Sequence, residues 1–166
     1  MRREIWLATG ALATAFLLAQ KRRRRSDSRP EAVVRNYFKA WEDGSAEELR
    51  GLVDRNYSGH VHALAGTEDR DRDTLTDQAV AHAKVFGERR FEVKDTVASG
   101  DEVAARVHVR AIHAESDRAA EMDGLVLFKL AKGRIVEEWS SWDYLGLAQQ
   151  LGLQLDGSSN GGGAAA

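Results

Sequence analysis

Apolar positions recur along this chain with two different periods. Between Pro30 and Glu42 they fall at Val34, Tyr37, Phe38 and Trp41, spaced i, i+3, i+4, i+7, which predicts one helix with a single buried face. Pro30 suits its first position and Gly44 its end. Ser45 with Glu48 three residues on forms a capping box, and Leu49, Leu52 and Val53 supply the buried stripe of a second helix. A third helix fits Thr74 to Phe86, with Leu75, Ala79, Ala83 and Phe86 inward and Gly87 as its stop.

The period then drops to two. Phe91, Val93 and Val97 alternate, and Ser99-Gly100-Asp101 turns the chain. Val103, Ala105, Val107, Val109 and Ala111 share one face of a long strand, while Arg106, His108 and Arg110 share the other. One buried and one wet face predict antiparallel pairing. A polar loop over 114–118 precedes a strand near Ala120–Leu130, and Lys132-Gly133 turns into a last strand, Arg134–Trp142. A short strand at Tyr57–His62 is expected at the sheet edge. Helices followed by hairpins predict an α+β domain over residues 30–154.

Two segments stand apart from that domain. Ile5–Ala19 is a mostly apolar run, about 22 Å long as a helix against the roughly 30 Å of a bilayer core. Snorkelling from Arg3 and Lys21 could extend it. It reads as a membrane anchor, a cleaved export signal or a peripheral tail. The basic cluster Lys21–Arg25 favours an anchor that keeps the domain cytoplasmic, by the positive-inside rule. Residues 21–29 are a basic linker, and 155–166 a Gly/Ser/Ala tail unable to bury a core. Removing the basic N-terminus leaves an acidic domain, which argues against a nucleic-acid partner. The absence of cysteine excludes disulfides, thiolate zinc sites and cysteine nucleophiles.

The densest chemical signal lies in 133–152, Gly-Arg-Ile-Val-Glu-Glu-Trp-Ser-Ser-Trp-Asp-Tyr-Leu-Gly-Leu-Ala-Gln-Gln-Leu-Gly. Asp143 follows a buried strand closely behind two tryptophans. Burial there would raise its proton affinity and make it a usable base; the alternative is a helix cap. Glu137 and Glu138 are neighbours on that strand, so one points inward, and Glu137 is the weaker alternative base.

With Asn56-Tyr57…His60 and Ala40-Trp41-Glu42-Asp43-Gly44, this stretch resembles the SnoaL-like polyketide cyclases of the nuclear transport factor 2-like superfamily, over about Glu31–Leu153. The resemblance implies a cone: a strongly curved antiparallel sheet and three N-terminal helices enclosing an apolar cavity. It implies cofactor-independent acid/base chemistry, in which an aspartate takes a proton beside a carbonyl of a hydrophobic ligand and the enolate closes a ring. A non-catalytic binding or dimerisation domain is the alternative. Asp143 is then the expected base, with His60 donating to a substrate oxygen or orienting it. Tyr37, Trp41, His113, Phe128 and Trp139 are expected to line the cavity, with Met122 beside them. His60 and His62 share a strand face, but no third ligand has metal-site spacing. His82 reads as a helix-face residue. Epoxide opening on the same cone would need a buried arginine, whereas Arg106 and Arg110 fall on the wet face. The charged run Glu68–Asp73 and the shortened loop 114–120 read as solvated. A homodimer through the broad sheet face is the superfamily's expectation.

Overall fold

The computed structural model describes residues 29–153. The anchor or signal at 5–19, the basic linker and the C-terminal tail lie outside those residues, apart from Arg29. Among the described residues no helix is long and apolar enough to cross a membrane.

Two helices open the domain, α1 (Pro30–Asp43) and α2 (Ala46–Leu52), followed by strands β1 (Val53–Ala63) and β2 (Gly66–Arg70). Then come α3 (Arg72–Val85), the strands β3 (Phe86–Ser99), β4 (Glu102–His113), β5 (Arg118–Ala131) and β6 (Arg134–Trp142), and a closing helix α4 (Tyr144–Leu151). The apolar stripe of α1 buries Val33, Val34, Tyr37, Phe38, Ala40 and Trp41, and Gly44 ends it in the left-handed conformation at φ 64°. Ser45 caps α2 by accepting the Glu48 amide at 3.3 Å.

All six strands form one curved, unclosed sheet in the order β2-β1-β6-β5-β4-β3. Its pairs are antiparallel except β1 with β6, which run parallel. The expected edge strand is therefore interior: β1 pairs on both sides, and the edge is β2, within the stretch read as a solvated loop. Helix α3 starts two residues early because Asp71 caps it, accepting the Thr74 amide at 2.8 Å. Phe86 opens β3 rather than closing the helix.

One irregularity decides the site. Glu137 of β6 lies opposite Lys129 of β5, yet Ile135 lies opposite Leu130. One step on β5 thus matches two on β6, a bulge at Val136 that reverses the alternation of every side chain after it. Ile135 points into the core, but so do Glu138 and Ser140, while Glu137 and Trp139 point out. The core lies between the inner sheet face and α1, where Val103, Val107, Val126, Phe128 and Leu130 meet Tyr37 and Phe38.

Candidate functional site

Four side chains from four elements meet on the inner face. Glu138 of β6 is 1% exposed. Its Oε2 accepts the hydroxyls of Tyr37 from α1 at 2.5 Å and Tyr57 from β1 at 2.8 Å. Its Oε1 accepts Arg70 Nη2 of β2 at 2.6 Å. Arg70 also donates to the Tyr57 hydroxyl through Nε at 3.3 Å, to the Tyr37 hydroxyl through Nη2 at 3.3 Å, and to Gln78 through Nη1 at 3.2 Å. Four of its hydrogen bonds are thus set, and a guanidinium has five N–H groups. Among the described residues the fifth, on Nη1, has no acceptor.

Burial explains the pairing. A lone charge here would be expensive to desolvate, so Glu138 and Arg70 are each other's counterion and the two tyrosines donate further hydrogen bonds to the carboxylate. Burial first, and then the Glu138 charge, push both phenols well above the usual tyrosine range, so both stay protonated donors. Burial, the largest single effect, would lower Arg70, but the Glu138 charge together with Tyr37 and Tyr57 outweighs it and the guanidinium stays charged. The Arg70 guanidinium also lies 5.6 Å from the Trp41 ring centre, a cation–π distance. Gly59 makes room for all of this. A Cβ at Gly59 would overlap the Tyr57 hydroxyl and come within 2.8 Å of Arg70 Cγ.

The network borders a set of neighbouring hollows that share lining residues. An entrance cavity of about 560 Å³ lies between β2, α3 and α4. Behind it, a small chamber of about 50 Å³ touches Arg70, Glu138 and Tyr37 among Phe38, Trp41, Phe91, Met122 and Trp142. A side chamber of about 140 Å³ runs along Phe86, Val109, Met122 and Leu147. His82 and Tyr144 line all three. Burial pushes the Tyr144 phenol up, so it too remains a proton donor. Burial, then the charges of Arg70 and Arg89, hold His82 below the usual imidazole range.

The sequence expectations divide along the sheet. Tyr37 and Trp41 border the small chamber, Met122 borders both chambers, and His113 borders the entrance. Phe128 faces inward but is fully buried under the network, with its ring 5.2 Å from that of Tyr37, so it is core rather than lining. Asp143 is exposed and outside every hollow named above. It caps α4 by accepting the Gly146 amide at 2.8 Å, which corrects the buried placement expected of it. His60 and Trp139 are also outside, stacked on one another at 4.1 Å on the outer sheet face. Glu137 is out with them, bonded to Lys129 and Trp139, and its neighbour Glu138 is the inward acid. Reading the wet face at Arg106 and Arg110 was correct, yet a buried arginine exists in Arg70.

The outer face holds a second hydrogen-bonded chain. Ser58 Oγ lies 3.2 Å from His60 Nε2, and His60 Nδ1 lies 2.6 Å from Asp69. The order is that of nucleophile, base and orienting acid. But Ser58 lies opposite Glu137 in the register, so an oxyanion formed there would meet a carboxylate. Among the described residues no group of three His, Asp or Glu side chains is gathered as a metal ion would require.

The functional side chains missed from sequence are Arg70, Tyr57, His82, Tyr144 and, as the inward member of its pair, Glu138. Arg70 sat in an alternating run of charges, Glu68–Asp73, whose one available signal was its period of two.

The sequence profile of the SnoaL-like polyketide cyclases matches residues 31–151. No curated protein matches the chain. Among solved structures, IdmH of Streptomyces antibioticus, a candidate polyketide cyclase, is 28% identical with TM-score 0.68, covering 75% of this chain and 99% of its own. A candidate polyketide cyclase of Bacillus cereus is 24% identical with TM-score 0.66, covering 75% and 80%. AclR of Streptomyces galilaeus, a candidate hydroxylase, is 18% identical with TM-score 0.67, covering 76% and 87%. The last two comparisons carry the fold alone, the nuclear transport factor 2-like cone.

Proposed function

The chain belongs to the SnoaL-like polyketide cyclase family, and from that premise we propose that it closes rings in a hydrophobic polycarbonyl compound by acid/base chemistry without a cofactor. One observation carries the reading: Arg70, pinned by Glu138, Tyr37, Tyr57 and Gln78, has one N–H with no acceptor among the described residues, beside an apolar hollow. A substrate carbonyl oxygen accepts that N–H together with the Tyr144 hydroxyl. When a proton leaves the adjacent carbon, negative charge grows on this oxygen. Donors already fixed in a low-dielectric site stabilise it without reorganising. The enolate carbon then attacks a second carbonyl of the same molecule, which the aromatic walls hold nearby.

The test uses simple ketones, because enolisation is the step the site would accelerate. Wild-type protein is expected to speed deuterium uptake at the α-carbon of 2-tetralone in D2O, read by proton NMR. Arg70→Met and Tyr144→Phe should each slow it. Quenching of tryptophan fluorescence by the ketone without any exchange would instead mark a binding domain.

A second copy of the chain is the proposed partner of the outer face. Val97, Leu125, Leu127 and Trp139 stand exposed there, Leu125 at 64%. Such patches on monomers are usually interfaces. Light scattering should give twice the chain mass for the wild type and the single mass for Leu125→Lys. The membrane tether is proposed on sequence alone, from the apolar run 5–19 and the basic cluster after it. Sedimentation of the full chain with bacterial membranes, lost on deleting residues 1–20, is the expected result.

A further inference from the structure

We propose that His82 is the base that takes the carbon-bound proton, from a substrate whose carbonyl oxygen rests on Arg70 and Tyr144; this deepens the enolisation reading above and depends on it. His82 stands in the last turn of α3, where the three hollows meet. Its ring packs 5.5 Å from Trp41 and 6.4 Å from Phe86, centre to centre. Trp41 is the ring that also carries Arg70. One indole thus sets both the electrophilic group and the imidazole around a single chamber.

Elimination points the same way. Glu138 already accepts three hydrogen bonds and is the counterion of buried Arg70, so protonating it would leave that cation unpaired. His113 at the entrance has its Nδ1 engaged with Ser116. Asp143 is a helix cap and Glu137 is outside. The His82 ring makes no hydrogen bond to another described residue, and the residue is exposed where it borders the hollows. Its depressed proton affinity keeps it neutral near pH 7, the form a base needs.

The step balances without oxidant or reductant. The α C–H bond breaks and its proton moves to an imidazole nitrogen. The released electron pair becomes the enolate double bond as the carbonyl π pair moves to oxygen. In ring closure the enolate oxygen re-forms its carbonyl, the C=C pair makes the bond to the second carbonyl carbon, and that carbonyl's π pair moves to its own oxygen as an alkoxide. The new alkoxide then takes the proton back from the imidazolium. With a simple ketone in D2O, the imidazolium trades its proton for a deuteron and returns that instead.

Deuterium uptake by 2-tetralone tests this. His82→Ala should lower kcat roughly 100-fold, within the range a positioned base supplies, with KM within a few-fold of wild type. Imidazole added to the medium should restore part of the His82→Ala rate by filling the vacated space. His82→Gln, which fills that space, should be as slow and gain nothing from imidazole. A loss under tenfold in both variants overturns the assignment. So does a slow His82→Ala that imidazole leaves unchanged at a wild-type melting temperature, since the residue would then be structural. The two failures separate cleanly. Wild type without exchange overturns the enolisation reading and His82 with it. Exchange abolished by Arg70→Met but intact in the His82 variants overturns His82 alone.

Discussion

Asp69 and Arg70 are neighbours on β2, and Glu137 and Glu138 are neighbours on β6. Asp69 faces out and meets His60 across the strand pair, with its carboxylate largely in water. Arg70 faces in and meets Glu138, each side chain at most 9% exposed. Glu137 ties Lys129 on the outer face in the same way that Asp69 ties His60. The same residue types, one position apart, thus make a solvated ion pair and a desolvated one. An exposed pair gains little over its separate hydration. A buried pair gains little by existing and loses a great deal by being broken. The outer pairs keep the sheet soluble; the inner pair holds a cation at a fixed place in an apolar hollow.

Removing one partner on each face breaks the comparison most sharply. Glu138→Ala leaves Arg70 buried and unpaired and should cost about 3–5 kcal/mol, which is enough to unfold many small domains. Glu137→Ala should cost about 1 kcal/mol at most. Urea unfolding of both variants measures the difference. Equal losses would mean that the inner network is wetter than its geometry implies. The double change Arg70→Met with Glu138→Leu should recover much of the loss, because no uncompensated charge remains.

Gly59 sharpens the same point. Gly59→Ala drives a methyl into Tyr57 and Arg70 and should cost about 1–3 kcal/mol, as overpacking does. Ser58→Ala, one residue away on the outer face, removes only a hydrogen bond to His60. It should change stability by about 1 kcal/mol or less. Thermal melts of the pair read the contrast directly.

These contrasts also mark where the sequence was legible. The i, i+3, i+4, i+7 stripe of α1, the inner row of β4 from Val103 to Val109 and the turn at Lys132-Gly133 all carried their signal locally, and the elements follow them. The family motif placed the end of β6 correctly. What failed was parity. Counting by twos from Ile135 sends Glu137 and Trp139 inward, and only the bulge at Val136, set by pairing with β5, reverses that. Arg70 failed for a related reason. A run of alternating charges is usually a solvated loop, and its burial depends on β1 offering a glycine opposite it. His82 is exposed, as a helix-face residue would be, but a helix stripe does not reveal that a separate helix, α4, stands across the space beside it and makes a hollow there.

Asp143 tests the boundary between the two faces. As a cap outside the hollow, its loss should affect the helix and not the chemistry. Asp143→Ala should cost about 0.5–2 kcal/mol through the unmet Gly146 amide. Ketone exchange per folded molecule should stay near wild type, provided that Arg118 and Gln150 still hold α4 to β5 through Leu151 and Glu121. A large loss of exchange with little loss of stability would return the aspartate to the mechanism.

The smallest effect is expected from His82. His82 is held neutral by burial and by Arg70 and Arg89, so its folded proton affinity lies below that of the unfolded chain. The unfolded state then binds the proton first as pH falls below about 6.5. Linkage makes stability rise with pH wherever the unfolded state holds more protons. The contribution from His82 is therefore full above that pH and is lost progressively on acidification, until the folded form also protonates. Wild type should lose stability relative to His82→Gln between pH 7 and pH 5, measured by urea midpoints at each pH. If wild type and His82→Gln were instead to run parallel across that range, the hollow beside His82 would be as wet as open solvent, and the inner face would lose its claim to be a different environment.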